Sequence, residues 1–195
     1  MRSSSQPAGQ PAHRPDLSLE AALACVHVGP DDFDLSAEVA RLRASDPCVG
    51  AVVSFVGTVR EWQQDAQASP GAADPTPATM ELEHYPGMTE CSIAGLIQQA
   101  WARFDVRGVR VIHRVGPLKV SEQIVLVAVT SKHRSQAFQC AEFLMDWLKT
   151  QAPFWKKESA GGVSRWVDAR SADDEAAARW GGLAFKNTPS NTQSN

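Results

Sequence analysis

The sequence predicts an α+β fold in a single domain. Three observations point there. A nearly continuous β-branched run spans Val49 to Val59 (VGAVVSFVGTV) and reads as a buried strand. A helical stretch runs from Arg134 to Thr150, with Ala137, Ala141, Leu144, Met145 and Leu148 at helical spacing. Around these two, strand and helix signals mix without a regular βαβ repeat. A length of 195 residues fits one domain.

The elements follow in chain order. Residues 1–20 form a tail whose first part is rich in Ser, Pro, Gln and Ala and is expected to be disordered. The domain is expected over 21–185. After the strand at 49–59, the segment QQDAQASPGAADPTPAT at 63–79 has three prolines and no apolar periodicity, so it reads as a long flexible loop. Thr79 to Tyr85 alternates like a half-buried strand. Thr89 to Phe104 puts Ile93, Leu96, Ile97 and Ala100 on one helical face. Val109–Val115 and Gln123–Thr130 read as strands, with Gly116-Pro117-Leu118-Lys119 as the turn between them. Ser131 is placed to cap the helix that starts at Arg134, and Pro153 ends that helix. A strand near Arg165–Ala169 and a helix over Ala172–Trp180 close the domain, and 186–195 is a second tail.

Composition excludes several classes. Hydrophobic residues are 43% and charged residues 21%, ordinary for a globular chain with a real core. A net charge of -3 argues against a general nucleic-acid binder. Cys25, Cys48, Cys91 and Cys140 are scattered with no CxxC pair, so they read as reduced packing thiols, not as a zinc or redox motif. No metal-ligand set is visible. The start lacks an apolar stretch after its basic residue, so no secretory signal is expected. The run Ala21–Val28 is too short to span a bilayer. A cytoplasmic protein without membrane contact is expected.

Chemistry concentrates in three basic places. Lys149, Lys156 and Lys157 lie in KTQAPFWKKE, among Phe154 and Trp155. Taken alone, this is a capping lysine at a helix C-terminus followed by a solvated basic turn. The aromatic neighbours allow a second reading, because a lysine in a dry site becomes a base or nucleophile. Pro153 turns the chain so that Lys156 can share a pocket with Lys149. Lys132-His133-Arg134 sits at the N-terminus of the same helix, where backbone N–H groups favour an anion. A surface histidine and an ion-paired arginine explain that cluster equally well. Arg60 ends the long strand, a place where a surface ion pair is the commoner role. His84 is either catalytic or a hydrogen-bonded core histidine.

Taken together, GAVVSFVGTVR (50–60), LEHYPGMTE (82–90), VIHRVGPL (111–118), TSKHRSQAF (130–138), DWLKTQAPFWKKE (146–158) and SRWVDAR (164–170) resemble the catalytic, large subunit of molybdopterin synthase. The resemblance runs in order from about residue 26 to residue 180. It implies an α/β hammerhead-type domain with a mostly antiparallel sheet and flanking helices. It further implies a homodimer binding two small ubiquitin-like carrier subunits, hence a heterotetramer. The carrier's Gly-Gly C-terminus arrives as a thiocarboxylate. Two sulfurs pass to cyclic pyranopterin monophosphate and form the dithiolene of molybdopterin. By this likeness Lys149 and Lys156 are catalytic. Thr58, Val59, Arg60, His133, Arg134, Lys157 and Glu158 bind substrate, and no cofactor is required. The 63–79 loop is longer than the family's usual one. Molybdenum is expected to enter later, on another protein.

The charges suit this chemistry. A thiocarboxylate tail and a pterin phosphate are both anions, and Arg60, Arg134, Lys149, Lys156 and Lys157 supply cations. Geometry adds a constraint. His133 and Lys149 are sixteen residues apart, roughly 24 Å along one helix at about 1.5 Å per residue. One pterin phosphate cannot span that. A shared site is therefore expected, with Lys149 and Lys156 from one protomer and His133 and Arg134 from its mate. Two alternatives are a non-catalytic docking module for a ubiquitin-like protein and an anion- or RNA-binding domain. The presence of both lysines opposes the first, and the acidic net charge opposes the second.

Overall fold

The computed structural model describes residues 15–44, 46–60, 79–160, 163–167 and 178–181, with backbone alone for 79, 158–160 and 163–167. The predicted loop at 63–79 falls almost wholly outside these residues. So do the C-terminal tail, most of the N-terminal tail and most of the predicted helix at 172–180.

Among the described residues the order is α1 (Leu19–Ala24), β1 (Val26–Gly29), α2 (Leu35–Arg43), β2 (Ala51–Thr58), β3 (Thr79–His84), α3 (Met88–Arg103), β4 (Val106–Arg114), β5 (Gly116–Lys119), β6 (Gln123–Ser131), α4 (Arg134–Gln151), β7 (Phe154–Ala160) and β8 (Val163–Val167). The class is α+β, as expected, but with two sheets where one was predicted. The first has order β1-β4-β6-β2 and the second β5-β3-β7-β8. Only the β1–β4 pair is parallel.

Periodicity explains the core. On β6, Val125, Val127 and Val129 face one side and Leu126 and Ala128 the other, and all five are buried. A strand covered on both faces reads as a continuous apolar run. The first face packs on α3 and α4 through Ile93, Leu96, Ile97, Phe143 and Leu144. Each such side chain, fully buried, contributes about 1.5–3 kcal/mol. The second face packs on α2 through Val39 and Leu42. There Glu38 is buried but paired, its carboxylate accepting from Arg110 Nε at 3.0 Å. A third cluster of Val59, Met80, Leu82 and Leu118 joins the end of β2 to the second sheet.

Several expectations need correction. Gly116–Lys119 is not a turn but strand β5, paired with β3. Pro117 is tolerated because β5 is an edge strand, where a missing N–H costs no ladder bond. Gly116 takes φ 83°, which lets the chain leave β4 for the second sheet. β2 is not fully buried: among the described strands it pairs only with β6, at the sheet edge, and Val52 and Phe55 are 37% and 41% exposed. α1 starts at Leu19, inside the stretch 1–20 read as tail, because Ser18 Oγ accepts from Ala21 N–H and caps it. β1 and α2 were not anticipated, since four- and nine-residue elements give weak periodicity. The strand expected at 165–169 is β8, at Val163–Val167.

Ser131 does not cap α4 in the expected way. The N-cap is His133, without a side-chain cap bond. Ser131 is buried at the end of β6, where its hydroxyl donates to Asp105 O at 2.7 Å and accepts from His133 N–H at 3.1 Å. It therefore shapes the strand-to-helix turn instead. The other end of α4 stops as expected: Ala152 is extended and Pro153 follows.

Candidate active site

The last turn of α4 and the first residues of β7 meet over a cavity of about 340 Å³. That size suits a small-molecule site. Lys149 reaches it from α4 and Lys156 from β7, so the turn at Pro153 does bring the two lysines to one pocket. Phe55 and Gly57 of β2, Met80 and Leu82 of β3, and Ile124 and Val125 at the start of β6 form apolar walls. Met145, Leu148, Ala152 and Phe154 complete them. Lys149 is exposed and Lys156 half-buried. Both lysines also contact other groups of the protein.

The turn that sets the two lysines is tied down from α3. Buried Thr89 accepts from Tyr85 N–H at 3.1 Å and donates to Pro153 O at 3.2 Å. Gly87 starts this helix at φ 82°, and its N–H donates to Glu90 Oε2 at 2.6 Å. The segment His84–Glu90 thus holds the Lys149–Lys156 turn.

A histidine not singled out from the sequence lies in the same cavity. His113, on β4, stacks on Phe154 with ring centroids 3.8 Å apart and planes 18° from parallel. Its Nδ1 lies 2.8 Å from Arg114 O. A carbonyl only accepts, so Nδ1 carries the hydrogen. Burial pushes its pKa down to about 4, against the smaller opposing effect of that hydrogen bond, and nearby His84 lowers it further. His113 is therefore neutral near pH 7.

The other predicted residues divide. Lys157 is half-buried and, one residue from Lys156 on β7, starts on the opposite face of the strand. The backbone of Glu158 pairs with Met80 and Arg165. Thr58 is exposed at the end of β2, and Arg60 is exposed just beyond it. Val59 has its side chain in the third core cluster, and its N–H and C=O are bonded to Glu122 and Ser121. His133 and Arg134 are exposed at the far end of α4 from Lys149. His84 is half-buried, with Nε2 3.8 Å from Glu90 Oε1, and does not line the cavity.

With this geometry in place, likeness to known proteins becomes informative. A family described as MoaE protein matches residues 28–151. The chain belongs to the MoaE family.

Among MoaE relatives, a protein of Ralstonia nicotianae named molybdopterin synthase catalytic subunit is 53% identical over 156 residues, 80% of this chain and 84% of the relative. The solved structure of molybdopterin cofactor biosynthesis protein E from Burkholderia multivorans is 50% identical with TM-score 0.66, covering 82% of this chain and 97% of that one. A Helicobacter pylori chain has TM-score 0.57 at 19% identity, covering 75% of this chain and 92% of that one, and shares the fold. Its structure is described as a complex of subunits 1 and 2 of molybdopterin-converting factor. MoaE membership places the chain with the catalytic subunits of molybdopterin synthase, sulfur-transferring enzymes of molybdenum cofactor biosynthesis.

Sequence reasoning missed His113 and the cavity walls. The signal for His113 was available: a histidine that follows the buried Val109 and Val111 on one face of β4. A histidine in such a place more often satisfies a core than binds a ligand. Only the cavity beside it separates the two roles.

Proposed function

We propose that this chain transfers two sulfurs from a thiocarboxylated, ubiquitin-like carrier subunit to cyclic pyranopterin monophosphate, forming the dithiolene of molybdopterin. The observation that carries the reading is the pair Lys149 and Lys156 in one cavity whose other walls are apolar apart from His113. Two ammonium groups beside apolar walls attract an anion more strongly than either does alone. Both reactants are anions. None of the cysteines lines this cavity, which suits a reaction whose sulfur arrives on the partner.

In this reading Lys149 holds the carrier's C-terminal thiocarboxylate. Lys156 holds the pterin or moves a proton to it. Arg60, Thr58 and Val59 at the end of β2, and Lys157 and Glu158 on β7, contribute to binding the substrate near the cavity mouth. His133 and Arg134 come from the second protomer of a homodimer, because α4 is too long for both of its ends to reach one pterin. With a carrier on each protomer the assembly is a heterotetramer. The two-subunit complex described for the Helicobacter pylori neighbour supports a small partner subunit. We place the assembly in the cytoplasm. Among the described residues no helix is long and apolar enough to cross a membrane.

The test is reconstitution with thiocarboxylated carrier and the pterin precursor, following dithiolene formation. Lys149→Ala and Lys156→Ala should each lower the rate by about a hundredfold or more, the scale of lost electrostatic or proton-transfer catalysis. Their melting temperatures should stay close to the parent's. Full-speed sulfur transfer by the double variant would refute the proposal.

A further inference from the structure

The cavity has an imbalance of hydrogen-bonding groups. Its strongly polar lining side chains are Lys149, Lys156 and His113. An ammonium has three donors and no lone pair. With Nδ1–H directed to Arg114 O, the imidazole offers a lone pair at Nε2. Apart from the weakly accepting methionine sulfurs, His113 is the acceptor among the described lining side chains.

The ring is also held still. Its Nδ1–H is tethered, one face is stacked on Phe154, and its backbone lies in the first sheet between Val28 of β1 and Val125 of β6. A fixed acceptor in an apolar site binds a matching donor at little entropic cost.

We propose that His113 is a substrate-binding residue of the sulfur-transfer site, its Nε2 accepting a hydrogen bond from an N–H of the molecule that fills the cavity. The proposal rests on the sulfur-transfer reading above and deepens it. Both reactants carry such a group: amide N–H in the carrier's peptide tail, ring and amino N–H in the pterin. A buried donor left unpaired is costly, so the acceptor selects for a ligand that has one. The position also explains why a histidine follows the buried Val109 and Val111 on this face of β4: an aliphatic residue would complete the wall but leave that N–H unmatched.

The experiment uses the full chain with its carrier. His113→Phe keeps a flat ring against Phe154 and removes the acceptor. His113→Gln restores an acceptor at a similar reach. Binding of unmodified carrier is measured by calorimetry, and kcat and KM for the pterin by dithiolene formation. Loss of one hydrogen bond to a buried acceptor predicts about a tenfold rise for His113→Phe in either the carrier Kd or the pterin KM. Which one rises identifies the donor. His113→Gln should stay within about threefold of the parent. The proposal is overturned if His113→Phe leaves both constants unchanged, or if His113→Gln is as impaired as His113→Phe while both melt like the parent. Should the Phe variant not fold, imidazole 15N spectra of the unaltered protein decide. The Nε2 resonance should move when carrier or pterin is added, and no shift with either sinks the idea. Failure of the underlying reading looks different: the unaltered protein itself would form no dithiolene.

Discussion

Burial sets the protonation of His113, and this makes it visible in stability as well as in binding. The folded pKa lies at about 4, against an ordinary value of 6.5. Between these two values the unfolded chain takes up a proton that the folded chain refuses. Stability is therefore full above pH 6.5 and falls as pH drops toward 4. At about 1.4 kcal/mol per pH unit, the loss reaches at most about 3.5 kcal/mol. His113→Phe lacks this contribution. Urea denaturation from pH 7 to pH 4 should show a flatter profile for that variant than for the parent, and parallel profiles would contradict the assignment. The lysines differ in how they could be found. Lys149 and Lys156 stood out by type and aromatic company, whereas His113 needed a view of what its ring touches.

Between elements, the deciding contact is the one from α3 to the α4–β7 turn. Thr89→Val removes the hydroxyl that bridges Tyr85 N–H and Pro153 O. Leaving those groups unpaired should cost about 1–3 kcal/mol. The variant should melt lower and also lose kcat/KM, since the turn between the two lysines loosens. A lower melting temperature with unchanged kcat/KM would show that the bridge serves stability alone. Long elements were readable in advance: α3 and α4 repeat their pattern often enough to declare their period, and β6 is a continuous apolar run. β1, α1 and α2 were not, being short. β5 was read as a turn because glycine and proline dominate its four residues, and only its pairing with β3 makes it a strand. β2 was read as buried because an edge position leaves no mark on a β-branched run.

For the whole molecule, the distance along α4 demands a second protomer if both of its ends serve one pterin. Mixing Lys149→Ala chains with Arg134→Ala chains and allowing protomers to exchange tests this. In a hybrid dimer with two-fold symmetry, one site carries both changes and the other carries neither. An equal mixture should then recover about a quarter of the parent activity, since half of the dimers are hybrids with one intact site. No recovery, with exchange demonstrated, would place each site within one protomer.

The sequence by itself determined the α+β class, the long helices and the basic residues proposed to serve sulfur transfer. It could do so because these are local properties: residue type, period and a few motifs in fixed order. It also determined that the two ends of α4 are far apart, since helical rise is nearly constant. Only the tertiary structure decided that the described strands form two sheets, that β2 is an edge among them, and that Lys149, Lys156 and His113 share one cavity. Those facts depend on pairings between segments as distant as β2, β4 and α4. Backbone hydrogen bonds and side-chain packing select such pairings together, and no local pattern encodes them.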